Sequence, residues 1–245
     1  MVFADFAGTR VVNKSLVVKF KFSLIESYEI TSANSMIAAI NSFLRFARWM
    51  DCCVKQFKVQ KRYFRSEKKE LTKSEYSRLV YAAQEKGNMR LNLIIQTICG
   101  TGIRVSELQF ITVEAVQKVE ATVCNKNKTR TVFIVRALQK KLLKYIKLRN
   151  ITTGCVFTTK SGKPINRCNI WREMKSLCKQ AGIQSDKVFP HNLRHLFAQT
   201  FYNMENDISK LADILGHSNI NTTRIYIITT GTEHKRKMER MKLIM

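Results

Sequence analysis

Acidic residues are scarce in this chain. Against 43 lysines and arginines stand 18 aspartates and glutamates, a formal net charge of +25 over 245 residues with a pI near 10.0. A surplus of that size repels itself in a compact body and is normally offset by a polyanion. Nucleic acid is the first such partner, because neutralising phosphates releases condensed counterions and drives binding. Long apolar runs are also missing: none reaches the roughly 18 residues of a membrane-spanning helix, which sets a membrane partner aside. The opening residues, Met1 to Gly8, lack the basic-then-apolar order of a secretion signal. The seven cysteines include no Cys-x-x-Cys pair, are odd in number and show no metal-ligand spacing. They argue against a disulfide framework and a zinc site, and for thiols buried in apolar runs in a reducing cytosol. There is no internal repeat, no low-complexity segment and none of the aromatic motifs of RNP-type RNA-binding proteins.

What is present suffices for a core. Hydrophobic residues make up 45% of the chain, and the length allows one large domain or two small ones. Residues 13–50 read as helices: an amphipathic segment from about Lys14 to Tyr28, then one capped by Asn34 or Ser35 with an apolar stripe of Met36, Ile40, Phe43, Ala47 and Met50. The stretch Lys55 to Lys69 carries seven lysines and arginines in fifteen residues, with Tyr63 and Phe64 between them. It reads as a basic linker suited to DNA backbone contact through Lys55, Lys58, Lys61 and Arg62. Thr72 and Glu75 form a capping box that opens a second domain, with a helix ending near Gly87 and another over Leu91 to Cys99. Strands over about 119–124 and 129–135 flank a hairpin tip at 125–128. Helices are expected at about 136–149 and 166–181, the latter with Ile170, Met174, Leu177 and Ala181 on one face, and a short strand near Cys155. Pro190 suits a first helical turn. Asp207 caps a helix ending at Gly216, and Asn221 or Thr222 caps a short one bearing Tyr226.

Four separated segments hold side chains suited to a single phosphate. Arg104 follows a glycine turn at a helix start, where backbone N–H groups favour an anion and the guanidinium grips two oxygens at once. His191 and Arg194 lie three apart on one helix face. His195 beside them is assigned to structure. His217 follows Gly216 at a turn, and Tyr226 lies nine positions further on. A phenol near neutral pH needs neighbouring positive charge to become a nucleophile, and Arg104, Arg194 and a histidine can supply it. Expelling a 5′ oxygen needs a proton donor, for which Lys126 or Lys128 at the hairpin tip is placed.

The order Arg, hairpin Lys, His-x-x-Arg, Gly-His, Tyr resembles the tyrosine recombinases, the phage-integrase and Xer-like family. The resemblance is best at Thr101–Leu108, Pro190–Ala198 and Leu215–Tyr226. It implies a mainly α fold with a small β-hairpin, in two domains: a helical core-binding domain over 1–65 and a mostly helical catalytic domain over 66–245. It implies that Arg104 and Arg194 clamp the scissile phosphate, that His191 and His217 assist by hydrogen bonding and proton handling, and that Tyr226 forms a 3′-phosphotyrosyl link. Lys126 becomes the general acid, although the hairpin is a residue shorter than the family's usual form and leaves Lys128 as the alternative. Glu107 is supporting. The expected partner is double-stranded DNA, held by a homotetramer in the nucleoid, with no small-molecule substrate, metal or other cofactor. In the family, a tail such as residues 233–245, with Met238, Met241 and Ile244 on one face, docks on a neighbouring protomer. No separate arm-binding domain is visible, and a first helix is expected to be missing. Non-enzymatic DNA binding, a type IB topoisomerase and a hairpin-forming resolvase are the alternatives to site-specific recombination.

Overall fold

The computed structural model describes residues 2–58, 70–125, 128–159, 161–227 and 238–241. The chain divides into two compact units, Met1–Tyr63 and Phe64–Met245.

The first unit is helical. Helix α1 (Val2–Ala7), unforeseen in the sequence, places Phe3 and Phe6 edge-on against Phe20 of α2 (Lys14–Ser27), at ring centroid distances of 5.0 and 5.2 Å. Such edge-to-face contacts satisfy the ring quadrupoles. Asn13 caps α2 by accepting the Leu16 N–H. Helix α3 (Ile30–Phe46) begins earlier than the capping pattern suggested, and its buried face is Ala33, Ile37, Asn41 and Leu44. The expected stripe was wrong because a polar residue interrupts the true one. Met36 and Ile40 only flank the core, while Phe43 and Met50 are exposed. Neither Asn34 nor Ser35 caps: Asn34 bonds the Phe57 backbone at both its N–H and its carbonyl. Asn41 does the same for Val54 at 3.0 and 2.8 Å. Two asparagines thus stitch the segment after the helix to its flank.

The second unit is built around α5 (Met89–Thr101), which buries Leu91, Leu93, Ile94, Ile95 and Ile98 and packs against neighbours on several sides. A helix apolar around most of its circumference belongs in the interior, and each such side chain contributes about 1.5–3 kcal/mol on burial. The capping box at Thr72 and Glu75 opens α4 (Lys73–Glu85). After α5 come a 3-10 helix (Val105–Phe110), α6 (Val113–Lys118), and the antiparallel pair β1 (Glu120–Asn125) and β2 (Lys128–Phe133). Ala121, Val123 and Val132 turn to the core. Helix α7 (Arg136–Leu148) follows. The helix expected over 166–181 is two, α8 (Arg167–Lys175) and α9 (Cys178–Ala181). The break is at Ser176, whose hydroxyl donates to the Glu173 carbonyl, a local bond that competes with the helical ladder. The segment at Cys155 forms only isolated bridges, Thr112 to Cys155 and Thr158 to Pro164. Helices α10 (Pro190–Glu205) and α11 (Ile208–Leu215) start as read, on Pro190 and the Asp207 cap. Helix α12 (Ile220–Ile227) begins ahead of its expected cap, since it is Asn219 that accepts the Asn221 N–H.

The architecture is mainly α with one small hairpin. Among the described residues, no helix is long and apolar enough to cross a membrane, and no group of His, Cys, Asp and Glu could hold a metal. The cysteines are less buried than their apolar neighbourhoods suggested: Cys178 is buried, Cys124 and Cys168 are exposed and the others are intermediate, all as free thiols.

Replacing Asn41 with alanine leaves the Val54 N–H and carbonyl unpaired beneath a residue only 7% exposed. It should destabilise the first unit by about 2–3 kcal/mol, read as a lower denaturant midpoint in urea unfolding.

Candidate active site

Two glycines create the pocket. Gly102 ends α5 and Gly216 ends α11, both in the left-handed conformation, at φ 66° and 65°. A Cβ at Gly102 would collide with Phe197, and one at Gly216 with the side chain of Arg130. Glycine is therefore needed at both positions for conformation and for space. The two helix ends bring their terminal carbonyls together, and these carry the negative end of the helix dipole.

Arg194 lies between them. It is 2% exposed. Its guanidinium donates to the Gly102 and Leu215 carbonyls, the latter at 2.8 Å, and to His217 Nε2 at 3.0 Å. Burial, followed by the charge of Arg104, lowers Arg194 to about 10, with Tyr226 offsetting part of the shift. Arg104, at the start of the 3-10 helix, is more open, with its side chain 35% exposed, and reaches the Gly216 carbonyl at 3.5 Å.

Glu107 ties this arrangement together. Its carboxylate is 2% exposed. It accepts the Arg104 backbone N–H at 3.0 Å, Arg104 Nη1 at 2.9 Å and Arg130 Nη2 at 2.7 Å. Burial acts to raise its carboxyl, but the Arg104 hydrogen bonds and the charges of Arg130 and Arg104 hold it below the usual carboxylate range.

The tautomer of His217 follows from its neighbours. Nε2 faces Arg194, which can only donate, so Nε2 accepts; Nδ1 must then carry the proton and donate to Thr223 Oγ1 at 2.8 Å. Burial first, then Arg194, Arg104, Arg130 and His191, push His217 down to about 4, so it is neutral near pH 7. Its ring lies parallel to that of Tyr226, with centroids 5.7 Å apart and an 8° tilt.

Tyr226 is 4% exposed and backed by Ala198, Leu211 and Leu215. His191 and His195 complete its surroundings, with ring centroids at 5.7 and 5.1 Å. A cleft of about 580 Å³ lies beside His217, walled also by Arg104, Glu107, Arg130, Asp213 and Gly216. The structure therefore brings Arg104, His191, Arg194, His217 and Tyr226 together, with Glu107 behind them. Lys126 lies outside the described residues, as do Lys61 and Arg62. Lys128 begins β2, but its side chain lies outside them too. Lys55 and Lys58 are exposed. Of the tail only 238–241 is described, with Met238 and Met241 exposed.

Three neighbours were missed in the sequence. His195 was set aside as pointing elsewhere, yet it packs on the nucleophile candidate, because the buried α10 turns several of its sides toward the pocket. Thr223 is fully buried and fixes His217. Arg130 pairs with Val123 across the hairpin, on the same face as buried Val132. An arginine on the inward phase of an alternating strand was the legible signal.

Comparison with known proteins shows what the chain as a whole is similar to. The model of the Phage integrase family matches residues 69–232. Tyrosine recombinase XerA of Pyrococcus horikoshii is 30% identical over 235 residues, covering 93% of this chain and 80% of the relative. The fold resembles the crystal structure of XerA recombinase, with a TM-score of 0.62 at 24% identity over 99% of this chain and 88% of that one. It also resembles the XerH site-specific recombinase bound to palindromic difH substrate in a post-cleavage complex, with a TM-score of 0.76 at 17% identity over 98% and 74% of the two chains.

Protonation supplies a test of the site. The unfolded chain binds a proton at His217 near pH 6.5, whereas the folded chain binds it only near pH 4. The stability associated with neutral His217 is complete above 6.5 and is lost as pH falls toward 4. Urea unfolding across that window should show the decline, and a His217→Gln variant should flatten it. Loss associated with Glu107 should come lower, below the ordinary carboxyl value of 4.5.

Proposed function

We propose that this chain, which belongs to the phage integrase family, breaks and rejoins duplex DNA as a tyrosine site-specific recombinase. The observation that carries this reading is a single buried phenol faced by three imidazoles, one of them hydrogen-bonded by the buried Arg194 guanidinium and lining a cleft with Arg104 and Arg130.

In this reading Arg104 and Arg194 hold the non-bridging oxygens of the scissile phosphate, where charge grows in the transition state. Tyr226 Oη attacks phosphorus and passes its proton to a neighbouring imidazole, His191 or His217, as the P–O5′ bond breaks. The 5′ oxygen takes a proton from Lys126, or from Lys128 if the short hairpin shifts the register, and leaves as a hydroxyl. The 3′-phosphotyrosyl link conserves the phosphodiester energy, so attack by another 5′ hydroxyl reverses the step and reseals a strand without nucleotide or metal. His191 hydrogen-bonds the phosphate, and His217 does so once its Nε2 is protonated. The negative charge of the phosphate and its transition state offsets the guanidinium charges that suppress protonation of His217, bringing the imidazole closer to donating from Nε2.

The net charge of +25 supports duplex DNA as the partner. We assign residues 1–65 to a core-binding domain, with Lys55, Lys58, Lys61 and Arg62 contacting the backbone, and 66–245 to the catalytic domain. Strand exchange in pairs calls for four protomers, and a cyclic arrangement joined through the tail at 233–245 suits such an assembly. The nucleoid is then its place of action.

The decisive experiment uses a library of nicked duplexes randomised across the core, from which DNA covalently attached to protein is recovered on denaturing gels. Wild type should yield a shifted band, and Tyr226→Phe should bind the same duplexes while giving none. Absence of any Tyr226-dependent species would leave a DNA-binding protein without strand-breaking activity. On a recovered duplex, binding should weaken steeply with salt. In Lys55→Ala and Lys58→Ala the slope should become shallower by about 0.9 for each phosphate that is no longer neutralised.

A further inference from the structure

Arg130 has no role in the chemistry set out above, yet its surroundings are those of a ligand-binding group. It occupies the inward phase of β2, opposite Val123, where the alternation calls for an apolar side chain. Its stem lies against Gly216, so closely that the glycine could carry no Cβ. Its Nη2 is taken by Glu107 at 2.7 Å. Its Nε and Nη1 are buried and have no hydrogen-bond partner among the described residues. Leaving two guanidinium donors buried and unpaired costs free energy that a ligand oxygen would recover. Its carboxylate partner Glu107 is shared with Arg104, so the three groups together keep a net positive charge, with Asp213 also lining the cleft. Both line the same cleft with His217, and the charge of Arg130 acts on Arg194 and His217 as well.

We propose that Arg130 is a third arginine of the phosphate site, one of its two unpaired nitrogens donating to a non-bridging oxygen of the scissile phosphate beside Arg104. Glu107 then sets the angle of both guanidiniums, and Gly216 leaves room for the stem of one and a carbonyl for the other. The assignment rests on the strand-cleavage reading of the pocket.

The test is a cycle of substitutions in the full chain, using a nicked duplex recovered as above and the same duplex with a methylphosphonate at the scissile position. The methylphosphonate removes the charged oxygen that Arg130 would hold. With the normal phosphodiester, Arg130→Ala should slow formation of the Tyr226-linked species about 100-fold, as removal of one transition-state donor does. With the methylphosphonate, the same substitution should cost a few-fold at most. Arg130→Lys, which keeps a cation for Glu107, guards against misfolding and should show the same dependence on the substrate with a smaller loss. Equal losses on both duplexes would overturn the proposal and leave Arg130 as a neutraliser of Glu107. Failure of wild type to link to any duplex would instead overturn the cleavage reading, and this assignment with it.

Discussion

A buried carboxylate shared between two guanidiniums governs the geometry of this pocket. Glu107 holds Arg104 by both backbone and side chain, and it draws Arg130 inward from the hairpin. Removing one partner of a buried ion pair leaves an uncompensated charge, which is far more costly than the net worth of the pair. The 3-10 helix after α5 and strand β2 are therefore joined at one point, and the cationic wall of the cleft takes its shape from that junction.

The second support comes from the backbone. Carbonyls at the ends of α5 and α11 fix Arg194 without any side-chain acid. This choice matters for chemistry. A second carboxylate would neutralise the cluster and compete with an incoming phosphate, whereas carbonyl dipoles orient the guanidinium and leave its charge available. Lysine could not replace it, since only the planar fork reaches two carbonyls and an imidazole at once in this geometry. Thr223 completes the frame by fixing the proton of His217 on Nδ1.

Much of this was legible before any coordinates, because the functional groups sit at punctuation marks. Arg104 follows Gly102, His217 follows Gly216, and Pro190 opens the helix of His191 and Arg194, so local turn chemistry located each. The rest depends on tertiary contact. Nothing adjacent in sequence marks Thr223 as the partner of His217, or His195 as packed on Tyr226. Asn41 concealed the inner face of α3, since an asparagine breaks an apolar stripe unless its backbone partners at Val54 are known. The break at Ser176 is a small local competition that periodicity cannot register. Arg130 could have been noticed by its strand phase, but its meaning needed Glu107 and Gly216, which lie far away in the chain.

The crowding of Arg104, Arg130 and Arg194, with one acid shared by the first two, has an evolutionary consequence. Burial and like charges in such a cluster oppose folding, and burial first, then the neighbouring arginines, depress the proton affinities of Arg194 and His217. A neutral replacement of His217, which pairs with no acid, relieves part of it, so a substitution that makes the protein sturdier should be found there at the expense of turnover. A screen for thermal tolerance alone would tend to erode the pocket first, and hardier descendants of this chain would be expected to survive as binders rather than cutters.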